Sequence, residues 1–284
     1  MPTSQHEKYY LAMEGEYFVA AQHQRLMRLR HTLLPLFTLF LLSGSSSATA
    51  AEPIAKVQYA NPVERYNHFA LGKPHEYATL IATMRSGGTL KVRLPKDEVF
   101  EDLVPRLVKL TAKGPQAILT IVSKIDSGAR LVLIEPKNGI LAISAQSPAI
   151  GTPNRWLNPV AVVDLDGDGR AEISAVITPH IGGTLKIYRK NGKHLIEVTS
   201  LAGFSNHVYG TTELSLSTTF SVSGRTYLLV PDNTRLRLRI IALKNDRLVE
   251  AGRCDLPAPI TGPTKSISQL EVSEIGRASW RERV

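Results

Sequence analysis

Along the second half of this chain, apolar and polar positions alternate with the period of strands, not helices. Residues 159–163 form a short apolar run, and residues 172–177 form a second. Thr184, Leu185, Lys186, Ile187, Tyr188 and Arg189 alternate, which places successive side chains on opposite faces of an extended backbone. Lys190-Asn191-Gly192-Lys193 follows as a tight hairpin signal, because Asn-Gly tolerates the positive φ angles of a type I′ turn. Residues 194–199 then read as a fourth strand. Further on, Arg235-Leu236-Arg237-Leu238-Arg239 alternates again and predicts a strand with three arginines on one face. That stripe is either a solvated face or a polyanion contact, and binding that weakens with salt marks the second case.

The four-strand unit recurs. Pro105-Arg106-Leu107-Val108 matches Pro159-Val160-Ala161-Val162 at an offset of about 54 residues. The same offset aligns Ala117 with Ala171, Gly128 with Gly182 and Leu131 with Leu185. A weaker third copy places Gly224-Arg225-Thr226 on Gly169-Arg170-Ala171 and Lys244-Asn245-Asp246 on Lys190-Asn191-Gly192. Four strands joined by turns at a period of about 40–50 residues are the signature of a propeller blade. The expected fold is therefore all-β, a β-propeller of four-stranded blades of about 54 residues, incomplete at the C-terminal end if further copies follow. Residues 51–272 hold roughly four such units, and propellers close with about 4–8. Either the ring closes as four, or further copies follow, since an open ring would leave strand edges exposed.

Composition agrees with strands: Val, Ile, Leu and Thr are frequent, and long Ala/Glu/Lys stretches are absent. The single cysteine, Cys254, excludes an intrachain disulfide and a multi-cysteine zinc site, and reads as a small buried residue. A formal net charge of +9 favours anionic surroundings without bearing on the fold. Residues 27–50 read as a secretory signal. A short basic start at Met27-Arg28-Leu29-Arg30 precedes an apolar stretch at 32–42, too short to span a bilayer, and then Ala48-Thr49-Ala50. Residues 1–26 in front of it read as an over-called start. The segment 273–284, which ends Arg277-Ala278-Ser279-Trp280-Arg281-Glu282-Arg283-Val284, has no hydrophobic period. It resembles the translation of a sequencing-adapter read-through.

The sharpest chemical signal is the loop Asp164-Leu165-Asp166-Gly167-Asp168-Gly169-Arg170-Ala171-Glu172. Alternate acidic residues in a tight turn can aim their oxygens at one centre, and calcium wants about 6–8 oxygens. Gly167 and Gly169 let the backbone turn without a Cβ clash. Asp164, Asp166, Asp168 and Glu172 would supply carboxylates, and Arg170 its backbone carbonyl. Strands flank the loop, and its last acid comes too early for an EF-hand. The segment around residues 163–177 resembles the calcium loops of FG-GAP/VCBS repeat proteins, the propeller family that includes the integrin α-subunit head. The resemblance implies one structural Ca²⁺ here. In the preceding copy Leu110, Ala112 and Gly114 stand where the aspartates would be, and no acidic run precedes Gly224.

Blade topology sends the loops of a unit to opposite ends. The acidic loop and the Asn191-Gly192 hairpin belong to one end. The other end gathers Glu101, Asp102, Arg155, Trp156, His180 and His207, which are candidates for binding a ligand or partner. A plainer role for them is to hold the loops: Trp156 as a wedge between blades, and Asn206 and His207 bonding backbone. No Ser-His-Asp order, phosphate-binding glycine loop or zinc signature is present, so no catalytic residue is assigned. The expected function is a non-enzymatic, calcium-binding interaction module in the periplasm or outside the cell. Its partner would be a protein or a cell-envelope polysaccharide, with no membrane span once the signal is removed. The alternative is a polysaccharide-directed hydrolase or lyase working from the propeller mouth. Nucleic acid is not expected as a partner, because export and the lack of aromatic-basic interleaving argue against it.

Overall fold

The computed structural model describes residues 52–264. The over-called start at 1–26, the signal at 27–50 and the tail at 273–284 lie outside the described residues. No helix among the described residues is long and apolar enough to cross a membrane.

The chain is all-β. It opens with β1 (Ile54–Pro62), β2 (Tyr77–Met84), β3 (Thr89–Arg93) and β4 (Glu98–Phe100). Three sets of four then follow. The first is β5 (Arg106–Lys109), β6 (Gln116–Lys124), β7 (Gly128–Lys137) and β8 (Ile140–Gln146). The second is β9 (Leu157–Val163), β10 (Glu172–Ile177), β11 (Gly183–Asn191) and β12 (His194–Phe204). The third is β13 (Thr218–Val222), β14 (Arg225–Pro231), β15 (Arg237–Lys244) and β16 (Arg247–Asp255). Each set is an antiparallel meander in which every strand pairs with the next. The bounds of β10 are those the apolar run predicts. Asn138, Gly139, Gly192, Asn245 and Asp246 take positive φ at the hairpins, as the turn chemistry requires.

The first segment follows another plan. β2 pairs with β1 on one side, and with both β3 and β4 on the other. β4 in turn pairs with β6, so the opening strands merge into the first meander instead of forming a separate one. A single parallel bridge, His194 to Gln146, joins β12 to β8. The result is a 12-stranded sheet that runs from β1 to β9, and a separate 4-stranded sheet, β13 to β16. The path does not return on itself, so the described strands form no closed ring.

Apolar residues on both faces of the central strands explain the stacking. All six residues of β10 are buried, as are the seven central residues of β6. Leu119, Ile121, Leu131 and Leu133 of the first meander meet Trp156, Ile173, Ala175 and Tyr188 of the second. The opposite face of the first meander, with Ile118, Val122, Val132 and Ile134, packs on Leu80, Ala82 and Phe100. The opposite face of the second, with Val176, Leu185 and Ile187, packs on Leu228, Val230, Ile241 and Leu243 of the third. Each apolar side chain removed from water in this way contributes roughly 1.5–3 kcal/mol. A groove of about 270 Å³ separates the edges of β5 and β9, lined by Leu107, Val108, Val160 and Val162. Cys254 is half-buried on β16, and not in the core as its sequence context suggests, because outer strands alternate between packed and solvated positions.

Glycine marks the closest approach between elements. A Cβ at Gly183 would sit 2.2 Å from the carbonyl oxygen of Phe204 and 3.1 Å from the Cα of Pro179. Backbone atoms cannot swing aside as a side-chain tip can. Gly183→Ala is therefore expected to destabilise the fold by about 1–3 kcal/mol. Leu131→Ala, at a fully buried site, is expected to cost about 2–5 kcal/mol. Urea unfolding midpoints check both, and an unchanged midpoint in Gly183→Ala would show that the β12 carbonyl is free to move.

Candidate functional site

Two sites come out of this stacking, at opposite ends of the strands. The first is the acidic loop between β9 and β10. Its carboxylates cap backbone amides. Asp164 Oδ1 accepts from Gly167 N at 2.7 Å and its Oδ2 from Gly169 N at 2.9 Å. Asp166 Oδ1 accepts from Asp168 N, and Asp168 Oδ1 from Arg170 N. Glu172, fully buried, accepts from Leu165 N through Oε2. Gly167 and Gly169 both take positive φ, 86° and 84°, which is why glycine stands at these two places.

Asp164, Asp166 and Glu172 each offer an oxygen within 4.8 Å of the others. Asp168 is not part of that group. Its carboxylate is exposed and accepts from the Arg170 amide through Oδ1 alone. Arg170 forms an isolated bridge with Thr111, and Ala171 N donates to Leu110 O at 2.8 Å. The acidic loop is thereby stapled to the turn that, one copy earlier, lacks the aspartates.

Sequence reasoning missed the residue that dominates this loop. Arg189 on β11 donates from Nε to Glu172 Oε1 at 2.8 Å, from one terminal nitrogen to Asp166 Oδ2 at 2.5 Å, and from the other to Asp246 Oδ1 at 2.7 Å. The bond to Glu172 holds the guanidinium even more firmly charged than usual. The oxygens suit a hard cation in kind and spacing. An ion and the Arg189 side chain are, however, alternative partners for the same Asp166 and Glu172 oxygens. The strand alternation at 184–189 assigns Arg189 a face, but not a reach across to another loop.

The second site lies where β9, β11, β13 and β15 begin. His180 Nε2 and His207 Nδ1 are 2.7 Å apart, and His207 Nε2 is 3.0 Å from Thr211 O. A carbonyl only accepts, so His207 carries its proton on Nε2 and accepts at Nδ1 from His180. The His180 Nδ1 lone pair is left with no partner among the described residues. Trp156, buried, stacks parallel on the His180 ring at 5.9 Å between centroids and donates from Nε1 to Glu101 O. Tyr209, 55% exposed, meets His180 edge-on at 5.2 Å and donates to His68 O. His68 Nδ1 is 2.8 Å from Glu101 Oε1. Burial pushes the Glu101 carboxyl up, and His68 and Ser123 pull it back. Buried Glu76 accepts from the amides of Tyr66 and His68 and so fixes the turn that carries His68.

Of the six residues predicted for this end, Glu101, Trp156, His180 and His207 are brought together. Asp102 is drawn off. Its fully buried carboxylate accepts from Tyr59 Oη, from Arg106 at 2.7 Å and from Leu103 N. Arg155 reaches no side chain among the described residues and bonds the carbonyl of its own neighbour, Asn154. The plainer roles hold in part: Asn206 Nδ2 donates to Asn158 O, and Trp156 packs between meanders. His68 and Tyr209 escaped notice because their roles rest on contacts with residues far along the chain. Thr178 carries a further signal, a β-branched residue held at φ 51° immediately before Pro179 and His180. Such a residue is strained by about 1–3 kcal/mol and is held in place only by its surroundings, here including its own N–H bond to Trp156 O.

The arginine stripe resolves differently from its pattern. Arg237 pairs with Asp255, and Arg239 pairs with Glu250 and lies over the Phe204 ring. Arg235 sits in the turn before β15 at φ 58°, outside the strand, and donates to Ser205 Oγ at 3.2 Å.

No protein-family model matches this chain, and no curated protein is found to be similar to it.

Burial lowers the pKa of His180 to about 3 and of His207 to about 4, with the neighbouring imidazole adding to the shift at His180. Both folded values lie below the ordinary 6.5. As pH falls below 6.5 the unfolded chain takes up protons that the folded chain refuses, so these groups withdraw stability with acidification down to about pH 3–4. Glu101, shifted upward, contributes with the opposite sign. His180→Gln is expected to flatten the loss of stability between about pH 6.5 and 4, followed as the urea midpoint. Parallel profiles in parent and variant would remove the imidazole pair as its cause.

Proposed function

We propose that this chain is an exported interaction module of β-propeller type, holding Ca²⁺ at its acidic loop and binding its partner at the Trp156–His180–His207 end. The observation that carries the binding reading is that end itself. Side chains as far apart in sequence as His68 and Tyr209 converge there around a strained Thr178, with Tyr209 left in solvent. Strain and convergence of this kind are maintained where a surface has work to do. The propeller reading draws support from the stacking. β9 lies against β13 and β14, the outer strands β8, β12 and β16 neighbour one another in turn, and apolar clusters fill the space between meanders. Closure would need units beyond the described residues.

The binding reading is favoured over a hydrolase or lyase. A general base is most effective with a pKa near the working pH, and His180 and His207 are held far below neutrality. The partner is a protein or a cell-envelope polysaccharide in the periplasm or outside the cell.

Calcium would be structural, held by Asp164, Asp166 and Glu172, and would compete with Arg189 for two of them. Added Ca²⁺ is expected to raise the melting temperature and EDTA to reverse it. Asp166→Ala should abolish the response. Arg189→Met should lower stability without calcium, because it leaves buried Glu172 without its cation, and should enlarge the rise that calcium produces. A parent melt indifferent to both Ca²⁺ and EDTA would assign the loop to Arg189 alone.

A further inference from the structure

The merging of the opening strands with the first meander leaves a pocket of about 350 Å³ between them. That volume lies at the small end of the range for ligand pockets, about 300–1,000 Å³. Glu52 and Pro53 lead into β1, and Arg85 follows β2. Lys109 ends β5, Gln116 begins β6, and Glu135 lies late in β7. Arg85 N donates to Pro53 O at 3.0 Å, which ties the start of β1 to the end of β2 along one wall. The turn that carries Gly114 and Pro115 forms another wall, and it is the turn stapled to the acidic loop through Leu110 and Thr111.

Four charged side chains line this one pocket, two of each sign: Arg85 and Lys109, Glu52 and Glu135. None of the four takes part in an ion pair among the described residues. Opposite charges thus face the same space without meeting. Each carboxylate has a neutral donor of its own. Glu52 Oε1 accepts from Ser86 N at 2.7 Å, and Glu135 Oε1 accepts from Ser144 Oγ at 2.9 Å. Hydrogen bonds from Ser86 hold the Glu52 carboxyl below the usual carboxylate range, so it is anionic at neutral pH. Gln116 Oε1 accepts from Ile54 N at 3.0 Å, which leaves its Nε2 end to donate. Pro53, Pro115 and Pro136 complete the lining with rings whose φ is fixed, so little of the wall has to be ordered when a ligand enters. Glu52, Arg85 and Lys109 are exposed, and Gln116 and Glu135 are half-buried, so solvent reaches the charged groups.

We infer that this pocket takes a small zwitterion, a free amino acid or a short peptide with both ends uncapped. Arg85 and Lys109, with Gln116 Nε2, take its carboxylate. Glu52 and Glu135 take its ammonium group, and the proline rings lie against its apolar part. A lone anion would leave the two carboxylates unanswered, a lone cation would leave Arg85 and Lys109 unanswered, and a neutral ligand would leave both pairs. A molecule that carries both charges a few bonds apart answers both pairs at once. The site is separate from the histidine end and from the carboxylates of the acidic loop, and it depends on neither reading.

The test uses the full chain labelled with ¹⁵N, with the Gln116 side-chain amide and the Gly114 backbone amide as reporters. It is titrated with alanine, alanyl-alanine, N-acetyl-alanine, alanine amide and acetate. Alanine or alanyl-alanine is expected to shift both reporters and to bind at least about tenfold more tightly than either capped form and than acetate. Changing Arg85→Gln together with Lys109→Gln should remove the preference over alanine amide. Changing Glu52→Gln together with Glu135→Gln should remove the preference over N-acetyl-alanine. Should the second pair fail to fold, Glu52→Gln alone, at an exposed position, is expected to narrow that preference. Equal binding of capped and uncapped forms overturns the inference. Acetate bound as tightly as alanine reduces the pocket to an anion site and overturns it as well. Reporters unmoved by every probe overturn the pocket as a site.

Discussion

The structure depends on strands that are apolar on both faces. A sheet with one oily face can leave the other to water, but β6 and β10 cannot. Their side chains alternate between two clusters, so each meander needs a neighbour on either side. That requirement stacks the first meander between the opening strands and the second, and the second between the first and the third. Stacking in turn brings the turns of adjacent meanders to common ends. Arg189 can then reach Asp246, and His180 can reach His207, only because residues of one unit stand beside the next.

The two ends use polar groups in contrasting ways. At the acidic loop both carboxylate oxygens of Asp164, Asp166 and Glu172 are already engaged by backbone amides or by Arg189, and the charge of Asp166 and Glu172 is answered inside the protein. At the other end the imidazoles are kept neutral by burial, and the guanidinium groups of Arg155 and Arg235 bond a carbonyl and a hydroxyl with no carboxylate partner among the described residues. Self-sufficiency at one end suits a structural clasp. The other end holds these two guanidinium groups with neutral partners only, so their charge is left unneutralised by the described fold.

The legible part of this fold was its strand period. The apolar run at 172–177, the alternation at 184–189 and the Asn191-Gly192 turn appear where the side-chain pattern puts them, because local chemistry decides them. The opening segment was not legible: β2, β3 and β4 pair according to partners far along the chain, and no local pattern specifies that. Asp102 was misplaced because an acid in a loop looks available until Tyr59 and Arg106 are seen to close on it. Arg235 was misread for the opposite reason. Its alternation with Arg237 and Arg239 implies a shared face, but a left-handed turn rotates it away from the strand before β15 begins. Arg189, His68 and Tyr209 act through contacts that no spacing rule anticipates.

The bond from Tyr209 to the carbonyl of His68 joins residues separated by 141 positions. Contacts of such separation form late, since the chain between them must be ordered before the closure is rewarded. The histidine end is thus a product of finished folding. A chain halted after its second meander could form its hairpins and still lack the histidine end, which makes display of that end a certificate that both early and late parts of the polypeptide have found their places.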